Sequence, residues 1–310
     1  MTGEGARTAI GVFGSANMDI VVRVDKLPGA GETIFGDSLI TNPGGKGLNQ
    51  AVAAARAGGQ VEFIGTFGTD GYGDELAALL SSEGIGAREL RRDGTTGTAH
   101  IAVERGGENT IVVVSGANLA TTADQVTDDL LDSIGWLVSQ LELDLDNVFA
   151  AFRTARHRGV RTVLTPAPAR PLDDDQLATV DLLVPNQHEA CLLAGESDPL
   201  VAAAALSRRC ADVVVTLGAD GAAWARGGEV VAQLPGRRVE AVDATAAGDT
   251  FVGALVAQLA AGTDFRRAIE VAQVAASITV TRPGAADSMP RWDEIRALLP
   301  VTFGAPTPAG

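Results

Sequence analysis

The sequence predicts an α/β protein built on a doubly wound, mostly parallel sheet flanked by helices. Three observations carry that expectation. Apolar residues make up 46% of the 310-residue chain and aromatics 4%, so the core is assembled from Ala, Val, Leu and Ile, as suits strands buried on both faces. Short apolar runs alternate with Ala-rich stretches of helical spacing, the order of βαβ units. The length suits one unit around one sheet, since α/β folds run past about 250 residues undivided; a single domain over residues 1–310 is expected.

The strands are expected at residues 10–13, 61–64, 136–138, 160–164, 182–184 and 213–217, all short and β-rich. Between them, 48–57 and 75–80 place apolar residues three and four apart, the signature of one helix face. Helical spacing continues through 249–259, 265–279 and 291–298. Two stretches break the rhythm: 19–40 and 98–114 read as strand pairs, the second turning at Gly106-Gly107. Such strands form either a small lid beside the core or an extra antiparallel edge. Residues after Pro300 are small and Pro-rich and are expected to fray.

Composition excludes several functions. With 39 acidic against 24 basic side chains the formal charge is −15, which repels a nucleic-acid backbone or an anionic membrane, so neither is expected as a partner. A nucleotide has to be bound locally, against this field. Cys191 and Cys210 form no disulfide framework or ligand cluster and read as buried free thiols. Residues 1–8 lack the basic start and apolar run of an export signal, and no stretch reaches the ~20 apolar residues of a membrane span. A cytoplasmic protein is expected. His100, His157 and His188 share no metal-ligand spacing, and no nucleophile elbow is present, which removes zinc enzymes and hydrolases.

The most informative segment is Val242-Asp243-Ala244-Thr245-Ala246-Ala247-Gly248-Asp249-Thr250-Phe251, where small residues run into an amphipathic helix. Small side chains let backbone amides approach a ligand, and a helix start supplies unpaired donors and a positive dipole end. Asp249 falls in the first turn, beside any phosphate bound there. It either takes a proton from an attacking hydroxyl or stabilises the helix dipole, an effect worth about 0.3–1 kcal/mol.

A second Gly-rich helix entry, Asn42-Pro43-Gly44-Gly45-Lys46-Gly47-Leu48-Asn49-Gln50, resembles a P-loop only superficially, because Ile40 and Gly47 stand where Gly and Ser or Thr are required. What remains is a tight turn presenting backbone amides, Lys46 and Asn49, a set suited to a polyol. Asn17 and Asp19 follow the first strand, two residues apart and so on one side of extended chain; turn chemistry is the other reading. Asn186 and Glu189 read as a helix cap or as groups near nucleotide phosphates and magnesium. Thr216-Leu217-Gly218-Ala219-Asp220-Gly221 closes a strand with a turn able to hold a nucleotide.

In this order, the Asn17/Asp19 pair, the Gly44-to-Gln50 turn, the Asn186/Glu189 pair and Ala246-Ala247-Gly248-Asp249-Thr250 resemble the ribokinase family of sugar and nucleoside kinases, from about residue 9 to 299. Gln140-Leu141-Glu142 and Pro166-Ala167-Pro168-Ala169-Arg170 add to the likeness. The resemblance implies an ATP-dependent kinase acting on ribose, with Asn17, Asp19, Gly45, Lys46, Asn49 and Glu142 holding the sugar under a β-lid that joins two subunits into a homodimer. It implies Asp249 as the base for the 5-hydroxyl and Ala246, Ala247 and Gly248 as the anion hole. Asn186, Glu189, Thr216, Gly218 and Gly221 match the side of ATP and Mg2+, and Gln273 stands near the adenine position. Asp243, Thr245, Thr279, Gly284 and Ser288 match positions around an activating K+. Thr165 departs from the family's usual Asn, and Gln273 from its Asn or His. A kinase for deoxyribose, fructose or adenosine is the alternative within the class, and a non-catalytic sugar sensor lies outside it. The βαβ rhythm also admits a dinucleotide oxidoreductase, but no Gly-x-Gly-x-x-Gly follows the first strand.

Overall fold

Successive side chains of a strand point to opposite faces, and in this chain both faces find apolar cover. Ile10 and Val12 pack into one cluster and Phe13 into another, and Val214 is likewise opposed by Val213 and Val215. The computed structural model describes residues 7–92 and 94–299. The start of the segment read as lacking an export signal and the tail expected to fray lie outside the described residues.

The strands are β1 (Ala9–Phe13), β2 (Asn17–Val24), β3 (Gly36–Gly44), β4 (Val61–Gly68), β5 (Gly86–Arg92), β6 (Gly97–Glu104), β7 (Asn109–Val114), β8 (Ile134–Gln140), β9 (Arg161–Thr165), β10 (Leu182–Leu183), β11 (Asp212–Thr216), β12 (Ala222–Arg226) and β13 (Glu229–Leu234). The helices are α1 (Lys46–Arg56), α2 (Gly71–Ser82), α3 (Asp128–Ser133), α4 (Leu145–His157), α5 (Asp174–Leu177), α6 (Gln187–Ala194), α7 (Pro199–Leu206), α8 (Ala247–Ala260), α9 (Phe265–Thr279) and α10 (Trp292–Leu298).

The main sheet has the order β13-β12-β11-β10-β9-β8-β1-β4-β5. It is parallel except at one edge, where β12 runs against β11 and β13 against β12. One layer, including α1, α8 and α9, closes one face around Leu48, Val52, Leu255 and Ile269. The other, including α4 and α7, closes the opposite face around Phe149, Phe152, Ala203 and Leu206. Truncating a ring as deeply buried as Phe152 to Ala costs about 3–5 kcal/mol. Gly253 lets α8 lie against α1, since a Cβ there would stand 2.6 Å from that of Ala53.

A second, four-stranded sheet has the order β3-β2-β6-β7. β2 pairs antiparallel with β3 and parallel with β6, and β6 pairs antiparallel with β7. Of the two cysteines, Cys210 is buried, and burial pushes its thiol up to about 12; Cys191 is only half-buried, short of the expectation. Among the described residues no helix is long and apolar enough to cross a membrane.

Candidate active site

β1 lies between β4 and β8, and the strands beyond them run off in opposite directions, so the winding of the sheet reverses at β1. Open α/β sheets bind ligands outside the carboxyl ends of strands at such a point. Chain leaving β1 supplies Asn17 and Asp19, and chain leaving β8 supplies Glu142. Further along the same edge come Thr165 at the end of β9, Asn186 after β10 and Thr216 at the end of β11, where Asn186 and Thr216 form a parallel bridge. The residues predicted for sugar and for nucleotide therefore lie along one edge in strand order.

Two helices begin there without a side-chain cap, α1 after Gly45 and α8 after Ala246. Their amides differ in use. In α1, Lys46 N donates to Glu142 Oε2 at 3.1 Å and Leu48 N to Ser15 O at 2.9 Å, so these two amides of the turn are engaged by the protein. Gly45 has φ 88°, and a Cβ there would stand 2.9 Å from Ala16 Cα, so the close approach needs glycine. In α8, Ala247 N turns back to Ala244 O at 3.2 Å and Thr250 N closes the first turn on Ala246 O at 2.8 Å. The space over Gly248 is open, since a Cβ there would meet nothing within 4 Å. Ala246 takes φ 57°, a left-handed conformation costing an L-residue of order 1–3 kcal/mol, a strain typical of functional sites.

The side chains converge around Lys46. Asp249 is buried, 7% exposed, with Oδ1 accepting from Gln50 Nε2 at 2.9 Å and Oδ2 from Asn49 Nδ2 at 3.3 Å. Glu142 Oε2 also accepts from Ser15 Oγ at 2.5 Å. Asn17 Oδ1 accepts from Asn118 Nδ2 at 2.8 Å, and Asn118 ties down both the N–H and C=O of Ala16. Asn49 Oδ1 is a buried acceptor with no partner among the described residues, open to a ligand hydroxyl.

Charge is crowded here. Burial, with the negative charges of Glu142 and Asp249, pushes Asp19 up to about 7, against the opposing pull of Lys46. Burial also raises Asp249, offset in part by Lys46 and by the amides of Gln50 and Asn49. Burial alone would lower Lys46, but Asp249, Glu142, Glu189 and Asp19 outweigh it and hold the ammonium above its ordinary value. The pocket is an ammonium among carboxylates and amides, suited to a neutral polyhydroxylated ligand.

On the other side, Asn186 and Glu189 form a reciprocal cap of α6, each side chain accepting from the other's N–H at 2.9 Å. Burial raises the Glu189 carboxyl. Gly218 and Gly221 have φ 60° and 104° in the turn after β11. Gln273 Nε2 donates to Leu234 O at 3.1 Å and Pro235 O at 3.4 Å, which ties the amide to the end of β13.

Asp243 joins two loops, accepting from Thr245 N and from Gly284 N at 2.9 Å each. Burial pushes its carboxyl upward, but these bonds prevail and hold it below the usual range. Thr279 Oγ1 lies within hydrogen-bond distance of Thr250 Oγ1 and Ala275 O, and Ser288 Oγ donates to Ala285 O at 2.7 Å. Asp243, Thr245 and Gly284 are thus joined, Thr279 reaches Thr250 of α8, and the hydroxyl protons of Thr279 and Ser288 are turned toward protein acceptors. Among the described residues no three His, Cys, Asp or Glu side chains converge as a metal-binding group.

Ser15, Gln50, Asn118 and Gln140 were not assigned to the site from sequence, and Thr165 was singled out only as a departure from the family's usual Asn. Gln50 and Ser15 stood beside predicted residues, a signal that was available. Asn118 lies about a hundred positions from Asn17 with no local motif to point to it.

A model of the pfkB family carbohydrate kinases matches residues 7–292. The chain is 39% identical over 292 residues to the ribokinase of Bacillus subtilis, covering 93% of this chain and 98% of that one. Its fold superposes on the ribokinase of Thermotoga maritima with a TM-score of 0.87 at 32% identity, covering 93% and 98% of the two chains. It superposes on the Arabidopsis thaliana ribokinase complexed with ribose and ATP with a TM-score of 0.86 at 30% identity, covering 94% and 98%. The likeness extends along nearly the whole chain, and the protein belongs to the pfkB family of carbohydrate kinases.

Proposed function

We propose that this chain transfers the γ-phosphoryl group of ATP to the 5-hydroxyl of D-ribose, giving ribose 5-phosphate and ADP. The observation that carries the reading is the meeting of the buried Asp249 carboxylate with the open first turn of α8, next to Lys46. Asn17, Asp19, Gly45, Lys46, Asn49 and Glu142 hold the sugar, and the unpartnered Asn49 Oδ1 accepts from one of its hydroxyls. Asp249 takes the hydroxyl proton as the oxygen attacks phosphorus and the bond to ADP breaks. The turn Ala246-Ala247-Gly248 faces the charge that accumulates on the transferring group, and positioning with charge stabilisation supplies most of the catalysis in such reactions.

ATP lies toward Asn186, Glu189, Thr216, Gly218, Gly221 and Gln273. Mg2+ would come with the phosphates of ATP, keeping most of its waters and needing few protein oxygens, and Glu189 is the carboxylate that would serve it. Asp243, Thr245, Thr279, Gly284 and Ser288 offer oxygen donors that would suit K+, and a bound ion would supply positive charge beside the loop that enters α8. The second sheet acts as the lid. Its outward face bears Ile20, Val22 and Val112, and exposed Leu39 and Phe35 continue the apolar surface, so a second copy of the chain is the occupant we assign to it. A cytoplasmic location belongs to the same reading.

The test is a coupled ADP assay with D-ribose, 2-deoxy-D-ribose, D-fructose and adenosine at fixed Mg-ATP, with and without K+. D-ribose should give the highest kcat/KM, and K+ should raise it. Faster turnover of another acceptor would reassign the substrate.

A further inference from the structure

Behind Asp249 lies a chain of buried amides that the reaction as described does not use. Gln50, Gln140 and Thr165 are all buried. Gln140 Nε2 donates to Gln50 Oε1 at 2.6 Å, which turns the Gln50 NH2 group toward the site. Both of its N–H bonds are then used, one to Asp249 Oδ1 at 2.9 Å and one to Thr165 Oγ1 at 3.2 Å. Gln140 is pressed on Gly14, where an added Cβ would stand 2.5 Å from Gln140 Oε1. That oxygen is itself buried without a partner among the described residues, so the pair is held by the direction of its other bonds.

Resting on the reading of Asp249 as base, we propose that Gln50, aligned by Gln140 and Thr165, is a positioning residue that fixes the Asp249 carboxylate toward the acceptor hydroxyl and keeps it ionised. An NH2 donor stabilises the charged form of a carboxyl and cannot accept from its protonated form. The charged groups facing Asp249 are Lys46 on α1 and Glu142 after β8, with Asp19 on β2 nearby. Of these only Lys46 opposes protonation, and it acts by charge with no hydrogen bond to Oδ1. Thr165 reaches Asp249 only through Gln50, so its influence is transmitted and not direct.

The test is kcat against pH at saturating D-ribose and Mg-ATP, where the acid limb reports the ternary complex. Gln50→Met should move that limb up by about half to one pH unit and lower kcat at pH 7 by about tenfold, with KM for ribose changed less than about threefold. Gln50→Glu, which keeps the shape and adds a like charge, should move the limb further. Thr165→Val should move it less, and should add nothing in the Gln50→Met background. The Glu variant and Thr165→Val carry the comparison if the Met variant does not fold. An unmoved limb across the series, with Asp249→Asn inactive, refutes the relay alone. Retained turnover in Asp249→Asn refutes the base itself.

Discussion

Asp249→Asn keeps the side-chain volume and removes one acceptor and one charge, and the structure sets the size of each consequence. The carboxylate receives two donors, Gln50 Nε2 and Asn49 Nδ2. An amide has one oxygen for two donors, so one N–H is orphaned, at a cost of about 1–3 kcal/mol. Against this, a desolvated negative charge beside Glu142 and Asp19 is relieved. The two effects oppose each other, and the thermal midpoint should stay within a few degrees of the parent. Turnover has no such compensation. General-base catalysis contributes about 10²–10⁴-fold, and kcat should fall by that factor, equivalent to about 3–5.5 kcal/mol in the barrier. Ribose affinity by calorimetry should change only severalfold, because the other sugar contacts persist. A folded Asp249→Asn protein that binds ribose and keeps kcat within tenfold of the parent in the coupled assay would refute the reasoning.

Asp19 has a folded pKa of about 7, raised above its ordinary value. Folding therefore takes up a proton between the two values, and the group's contribution to stability declines as pH rises through neutrality. Asp19→Asn should accordingly raise the melting temperature of the sugar-free protein at pH 8, with the gain shrinking toward pH 5, while weakening ribose binding; a pH-independent gain would contradict the assignment. Asp243→Ala removes the link between Thr245 N and Gly284 N; added K+ should raise the thermal midpoint and the turnover of the parent and leave both unchanged in this variant. Val112→Glu places a charge on the outward face of the second sheet, where Val112 is exposed, and should shift the protein toward monomer in light scattering.

The apolar runs of β1, β4, β8, β9, β10 and β11 were legible because strands buried on both faces have to be nearly continuous in Val, Ile and Leu. β5, with its arginines, and the alternating β12 and β13 pair carry no such run and were not singled out. β4 continues to Gly68, past its predicted end at residue 64, because pairing with β5 is a backbone matter and Gly65 and Gly68 satisfy it without apolar side chains. In the site, Asp249, Lys46, Asn49 and Glu189 each stood at a recognisable helix start.

The sequence by itself determined the layers, the two Gly-rich helix entries and the chemistry each could offer, since these depend on neighbours within a turn or a strand. Only the tertiary structure decided that β1 is the switch point, that Lys46 N and Leu48 N of α1 are engaged by the protein while the space over Gly248 of α8 stays open, and that Gln140 aligns Gln50 on Asp249. These last facts join residues 90 and 199 positions apart. Local periodicity holds no record of such pairings; they exist because packing brings α1, α8 and the end of β8 to one point, where each buried amide has to find the partner that water no longer provides.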